Sequence, residues 1–114
     1  MTVTSQLSQR RGAVHDPERR GILIPASQLN DTVFREGDRF TVRKGQREFF
    51  TLYIQKDPEG DIVFEKYGIF IPRTRRVDAY LGGIFHEFTV DFPPSHPDRM
   101  KIAPVGNEYQ NICR

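Results

Sequence analysis

The residues in this chain best suited to chemistry are arginines, and they come in clusters: Arg10-Arg11, Arg19-Arg20 and Arg73-Thr74-Arg75-Arg76. A guanidinium presents a planar fork of donors that grips phosphate and pairs bidentately with a guanine edge, which an ammonium does less well. Arg73, Arg75 and Arg76 stand at the start of a short predicted helix. The helix dipole favours acids there, so these bases serve something other than the helix. Arg10 and Arg11 lie in a polar arm suited to following a DNA backbone or entering a minor groove. Arg19 and Arg20 precede an apolar strand, and Lys44 and Arg47 sit at a hairpin turn within reach of phosphates. The competing reading of all these bases is a solvated surface with a solubilising tail.

Other chemistries find less support. His15, His86 and His96 are far apart and Cys113 stands alone, so no metal-ligand spacing recurs. No Ser or Cys occupies a nucleophile elbow, no carboxylates are spaced for acid–base work, and no glycine-rich loop would cradle a phosphate. Neither enzymatic activity nor a cofactor is expected. Tyr53, Tyr67, Tyr80 and Tyr109, with Phe49-Phe50, offer rings on which single-stranded bases would stack, but in a chain this poor in aliphatic residues they read as core.

The elements that must position the arginines are strands. Nine Phe and four Tyr without Trp suit a pleated, half-buried surface, and nine Gly with eight Pro break the 114 residues into many short pieces. Hydrophobic residues at 37% and charged residues at 28% describe one globular domain with a modest core. The formal net charge of +2 is small, so a basic surface must come from local clustering. The lone cysteine precludes an internal disulfide and suits a reducing compartment. No apolar run is long enough to span a bilayer, and Met1 to Ser8 lack the apolar stretch of a signal peptide. A cytoplasmic location without membrane attachment is expected.

Internal repetition organises the chain. Gly21-Ile22-Leu23-Ile24-Pro25 recurs 47 residues later as Gly68-Ile69-Phe70-Ile71-Pro72, and Ser27 matches Thr74. At an offset of 48, Phe40-Thr41-Val42 recurs as Phe88-Thr89-Val90, Leu52 pairs with Met100 and Ile54 with Ile102. Copy one spans 13–57 and copy two 61–105, between an arm over 1–12 and a tail over 106–114. Asp57-Pro58-Glu59-Gly60 forms the joint. Within copy one, the strand Gly21 to Ile24 ends at Pro25 and Ser27 is placed to cap a short helix. Gly37-Asp38 turns into the strand Arg39 to Val42, and Phe50 to Ile54 returns. In copy two a helical turn runs from Arg73 to Leu81, Gly82-Gly83 breaks it, and a long strand runs from Ile84 to Phe92. Four strands cannot cover their own apolar face, so the fold predicted is mainly β, a small closed barrel of swapped-hairpin or double-psi type made from two pseudo-symmetric halves with one or two short helices.

The order strand, Gly-x-x-Ile-Pro, short helix, Gly-Asp turn, strand, hairpin, strand resembles the AbrB-like swapped-hairpin regulators, and its tandem form looks most like the MraZ family. The resemblance runs from Val14 to Val105. Ile24-Pro25 and Ile71-Pro72 match the family's Ile-Pro, Gly37-Asp38 its turn, and Arg76 its arginine four residues past the proline, a place Leu29 fills in copy one. The family's Gly-Arg before the Ile-Pro strand is absent: Arg20-Gly21 reverses it and Tyr67-Gly68 lacks the arginine. The resemblance implies a DNA-binding transcriptional regulator that binds double-stranded DNA and self-associates as a homo-oligomer. Read from residues alone, copy two dominates the DNA contacts. The alternative is a barrel that binds a protein partner, as an accessory subunit, inhibitor or antitoxin-like protein.

Overall fold

Alternation sets the strands. Buried Ile22 and Ile24 flank half-buried Leu23, and buried Ile69 and Ile71 flank Phe70 in the same way. The computed structural model describes residues 11–45 and 50–105. Within them the strands are β1 (Arg11–Asp16), β2 (Gly21–Pro25), β3 (Arg39–Lys44), β4 (Leu52–Lys56), β5 (Ile62–Glu65), β6 (Gly68–Pro72), β7 (Glu87–Asp91) and β8 (Arg99–Pro104). A 3-10 turn covers Ala26–Leu29 and one helix, α1, covers Arg75–Leu81.

The strands close into an antiparallel barrel in the order β1-β2-β6-β5-β3-β4-β8-β7. Exchanging β1 with β5, β2 with β6, β3 with β7 and β4 with β8 reproduces every one of these pairings, so the barrel has a pseudo-twofold axis. Two seams lie on it. In one, β2 pairs β6 with Leu23 opposite Phe70; in the other, β4 pairs β8 with Tyr53 opposite Lys101. The two hairpins of one half never pair with each other. Each is flanked on both sides by hairpins of the other half, all within one chain. Closure removes every edge, and the interior is filled by side chains.

Ile22, Ile24, Ile69 and Ile71 are each at most 1% exposed and occupy equivalent interior places, with Phe40, Val90, Leu52, Ile54, Met100 and Ile102 completing the core. The seam also explains why both copies open on glycine. A Cβ on Gly68, which holds a φ of 132°, would collide with the Ile24 carbonyl, and one on Gly21 with the Ile71 carbonyl and the Phe70 ring.

Several boundaries differ from the sequence expectation. Ser27 caps nothing: the Ala26 N–H donates to the Tyr67 carbonyl at 3.0 Å, so the seam continues to the start of the 3-10 turn, where Pro25 holds the cap position. In the second half Thr74 is the cap, its hydroxyl accepting the Val77 N–H at 3.1 Å, so Arg73 precedes the helix. β4 begins at Leu52 because Phe50 sits in a left-handed conformation at φ 60°. β7 begins at Glu87, where pairing with β1 starts, and not at Ile84. The arm is shorter at its inner end, since Arg11 and Gly12 pair with Val90 and Thr89 of β7. Among the described residues no helix is long and apolar enough to cross a membrane.

Because Ile24 and Ile71 are symmetry mates in one core, truncating either is expected to destabilise the protein similarly. Urea unfolding of Ile24→Ala and of Ile71→Ala should each show a loss of about 2–5 kcal/mol, the two agreeing within about 1 kcal/mol.

Candidate nucleic-acid interface

The seam that closes the barrel also gathers the arginines. Beyond Pro72 the strand pairing continues for one more bond, from the Arg73 N–H to the Arg20 carbonyl at 3.0 Å. Arg20 reaches this place because it adopts a left-handed conformation, φ 60°, at the end of the β1–β2 turn, with its own N–H bonded to the Asp16 carbonyl at 2.8 Å. Clusters separated by half the chain, Arg19-Arg20 and Arg73 to Arg76, thus become neighbours through residues 20 and 73.

The members of the patch differ in how free they are. Arg19 is bound twice over: its Nε donates to Asp16 Oδ2 at 3.0 Å, and its guanidinium lies 4.9 Å from the centre of the Tyr67 ring and 5.0 Å from that of Phe70. Arg73 Nε pairs with Asp78 Oδ2 at 3.3 Å, which ties the strand end to the first turn of α1. Arg20, Arg75 and Arg76 are exposed and form no ion pair among the described residues. Gly82, left-handed at φ 80°, ends the helix by donating to the Ala79 and Asp78 carbonyls. The charge available to a ligand therefore comes from Arg20, Arg75 and Arg76, with Arg19 and Arg73 held as their supports.

Arg76 also lines a cleft of about 160 Å³ between α1 and the strands β3 and β5, together with Thr41, Asp61, Ile62, Thr74 and Val77. Along β3 the exposed Arg43 and Lys44 follow directly after Val42, another residue of this cleft wall. Of the other sequence candidates, Arg11 is paired through its backbone, its side chain lying outside the described residues, as do Arg10 and Arg47 and the ring residues Phe49 and Tyr109. Tyr67 is partly exposed and sits under Arg19, while Tyr80 packs against the core.

The pseudo-twofold axis supplies an internal control. The positions that mate with Arg20, Arg73, Arg75 and Arg76 are Tyr67, Ala26, Gln28 and Leu29, and on β7 the mates of Arg39 and Arg43 are Glu87 and Asp91. Basic residues on one side are thus neutral or acidic on the other, although Lys66 keeps the charge of Arg19. Arg39 and Arg43 were not among the residues singled out from sequence. The signal was available in the 48-residue offset, which sets Arg39-Phe40-Thr41-Val42-Arg43 against Glu87-Phe88-Thr89-Val90-Asp91. Arg39 Nη1 bonds the Gly60 carbonyl at 2.8 Å, so it also fastens the joint between the halves.

No family model matches the chain, and no curated protein and no solved structure matches it. The site rests on its own geometry.

The Arg19 backbone N–H, which donates to the Asp16 carboxylate, and after it the Arg19 guanidinium hold the Asp16 carboxyl below the usual carboxylate range, against partial desolvation that raises it. A depressed carboxyl pKa contributes stability above the unfolded-state value, and that contribution is lost as pH falls through the folded value. In an NMR titration the Asp16 carboxyl carbon is expected to have its midpoint below that of an unperturbed aspartate, and Arg19→Ala is expected to raise it.

Proposed function

We propose that this protein is a DNA-binding transcriptional regulator of the AbrB-like type, and that it holds double-stranded DNA with the face formed by Arg20, Arg73, Arg75 and Arg76. The observation that carries the reading is the bond between the Arg73 N–H and the Arg20 carbonyl, which brings basic residues from both halves together, where Arg20, Arg75 and Arg76 have no acidic partner among the described residues. Three free guanidinium groups beside two anchored ones suit a phosphate backbone, and their forks also suit guanine edges in the major groove. Arg43 and Lys44 extend the basic surface along β3.

Because the mates of Arg20, Arg73, Arg75 and Arg76 are the uncharged Tyr67, Ala26, Gln28 and Leu29, one molecule engages DNA from one side. A palindromic site would then require two molecules, with self-association supplying the second reading head. The alternative, a protein-binding barrel, draws its support from the exposed Glu87 on β7, which would repel a phosphate backbone and suit a basic protein surface.

Filter binding or fluorescence anisotropy on duplex fragments at several salt concentrations separates these readings. The parent protein is expected to bind with an affinity that falls steeply with salt. Replacing Arg73, Arg75 and Arg76 together by Ala is expected to reduce the steepness of log K against log salt by about 2–3. Lys66→Ala, at the mate of Arg19, is expected to leave it nearly unchanged. Salt-insensitive or undetectable binding by the parent excludes the DNA reading. In that case the β7 face becomes the surface to test with protein partners.

A further inference from the structure

The cleft beside α1 has the makings of a ligand site. The matching place in the first half is built differently. The Gln28 side chain accepts the Gly12 N–H at 3.0 Å, tying the 3-10 turn to β1, and Leu29 is 1% exposed. In the second half the residue at the place of Gln28 is Arg75, which points to solvent and forms no such strap, and the residue aligned with Gly12 is Asp61. What remains is an opening of about 160 Å³; for comparison, a cavity of about 150 Å³ accommodates a benzene-sized molecule of six heavy atoms.

Its lining is chemically divided. Arg76 supplies a fork of donors on the α1 side, and Asp61 supplies a carboxylate at the start of β5. Both line the same cleft, yet they are too far apart to form an ion pair, and neither has a side-chain partner among the described residues. Thr41 and Thr74 add hydroxyl groups, and the accessible apolar surface comes from Val42 and Pro72, over a floor of buried Ile62, Ile71 and Val77. A lone anion would meet Asp61 and a lone cation would meet Arg76, each at a cost. A molecule carrying both charges on a small frame satisfies both.

We propose that this cleft binds a small zwitterion, a free α-amino acid with a short apolar side chain. Its carboxylate lies on Arg76, its ammonium on Asp61, and its side chain against Val42 and Pro72. The site is partly open to solvent, so binding is weak. Nothing in this assignment depends on DNA binding, although Arg76 belongs to both surfaces and an occupied cleft would withdraw it from a phosphate.

The test is a titration of the full-length protein, without DNA, with L-alanine and with L-valine, followed by amide shifts in NMR spectra. Propionate and ethylamine serve as single-charge controls. At least one amino acid is expected to give saturable shifts centred on Asp61, Ile62, Thr74 and Arg76, with neither control reproducing them. Asp61→Asn and Arg76→Gln, both exposed and compatible with folding, are each expected to weaken binding by about tenfold or more. Absence of saturation with both amino acids overturns the proposal. So does propionate binding as well as alanine, which would mark a bare anion patch, or unchanged affinity in both variants.

Discussion

The rest of the structure depends on the antiparallel pairing of β2 with β6. A hairpin alone has two open edges and one apolar face, and nothing in its own half can cover either, because the two hairpins of a half do not touch edge to edge. Pairing Ile22 with Ile71 and Ile24 with Ile69 across the seam buries four isoleucines at once and sets the register. In strands whose side chains alternate, a slip of one residue would turn those isoleucines outward. The glycines at the two ends of the seam keep the opposing carbonyls clear, and two further bonds, Ala26 to Tyr67 and Arg73 to Arg20, extend it symmetrically at both ends.

Side-chain chemistry departs from that symmetry. The two extending bonds are mates, yet one joins an alanine to a tyrosine and the other an arginine to an arginine. The scaffold dictates that residues 20 and 73 be neighbours whatever their types, and side-chain chemistry then decides what the neighbourhood does. The same division explains the cleft. Gln28 offers an amide oxygen that accepts the Gly12 N–H, whereas the guanidinium of Arg75 has only donors, cannot accept the matching N–H, and is exposed.

Much of the fold was legible in the residues, since period-2 alternation and the repeated Gly-Ile-x-Ile-Pro report directly on which side chains face inward. The closed barrel of two halves followed from the inability of either half to shield itself. Element ends were less legible for a physical reason: they are set by partners remote in sequence. Ser27 looks like a cap until the Tyr67 carbonyl takes the Ala26 N–H, and Ile84 looks like strand until the β1 register shows that pairing begins at Glu87. The arginine clusters were visible as clusters, but their merger was not, because it depends on a left-handed Arg20 and a bond spanning 53 residues. The anchoring of Arg19 and Arg73 by Asp16 and Asp78 likewise separates supports from free charges in a way composition does not.

The most direct test of the seam uses cysteines at its centre. Leu23 and Phe70 lie opposite each other on the pseudo-twofold axis, at a cross-strand spacing of about 4.5–5.5 Å between Cβ atoms, which a disulfide can close with slight adjustment. In a protein carrying Leu23→Cys and Phe70→Cys, with Cys113→Ser removing the native thiol, mild oxidation is expected to yield a crosslink within one chain. On a non-reducing gel this product runs faster than its reduced form and at monomer size. A protein that stays reduced, or that forms only chain-to-chain dimers, would contradict closure of the barrel within a single molecule and the arginine patch that closure creates.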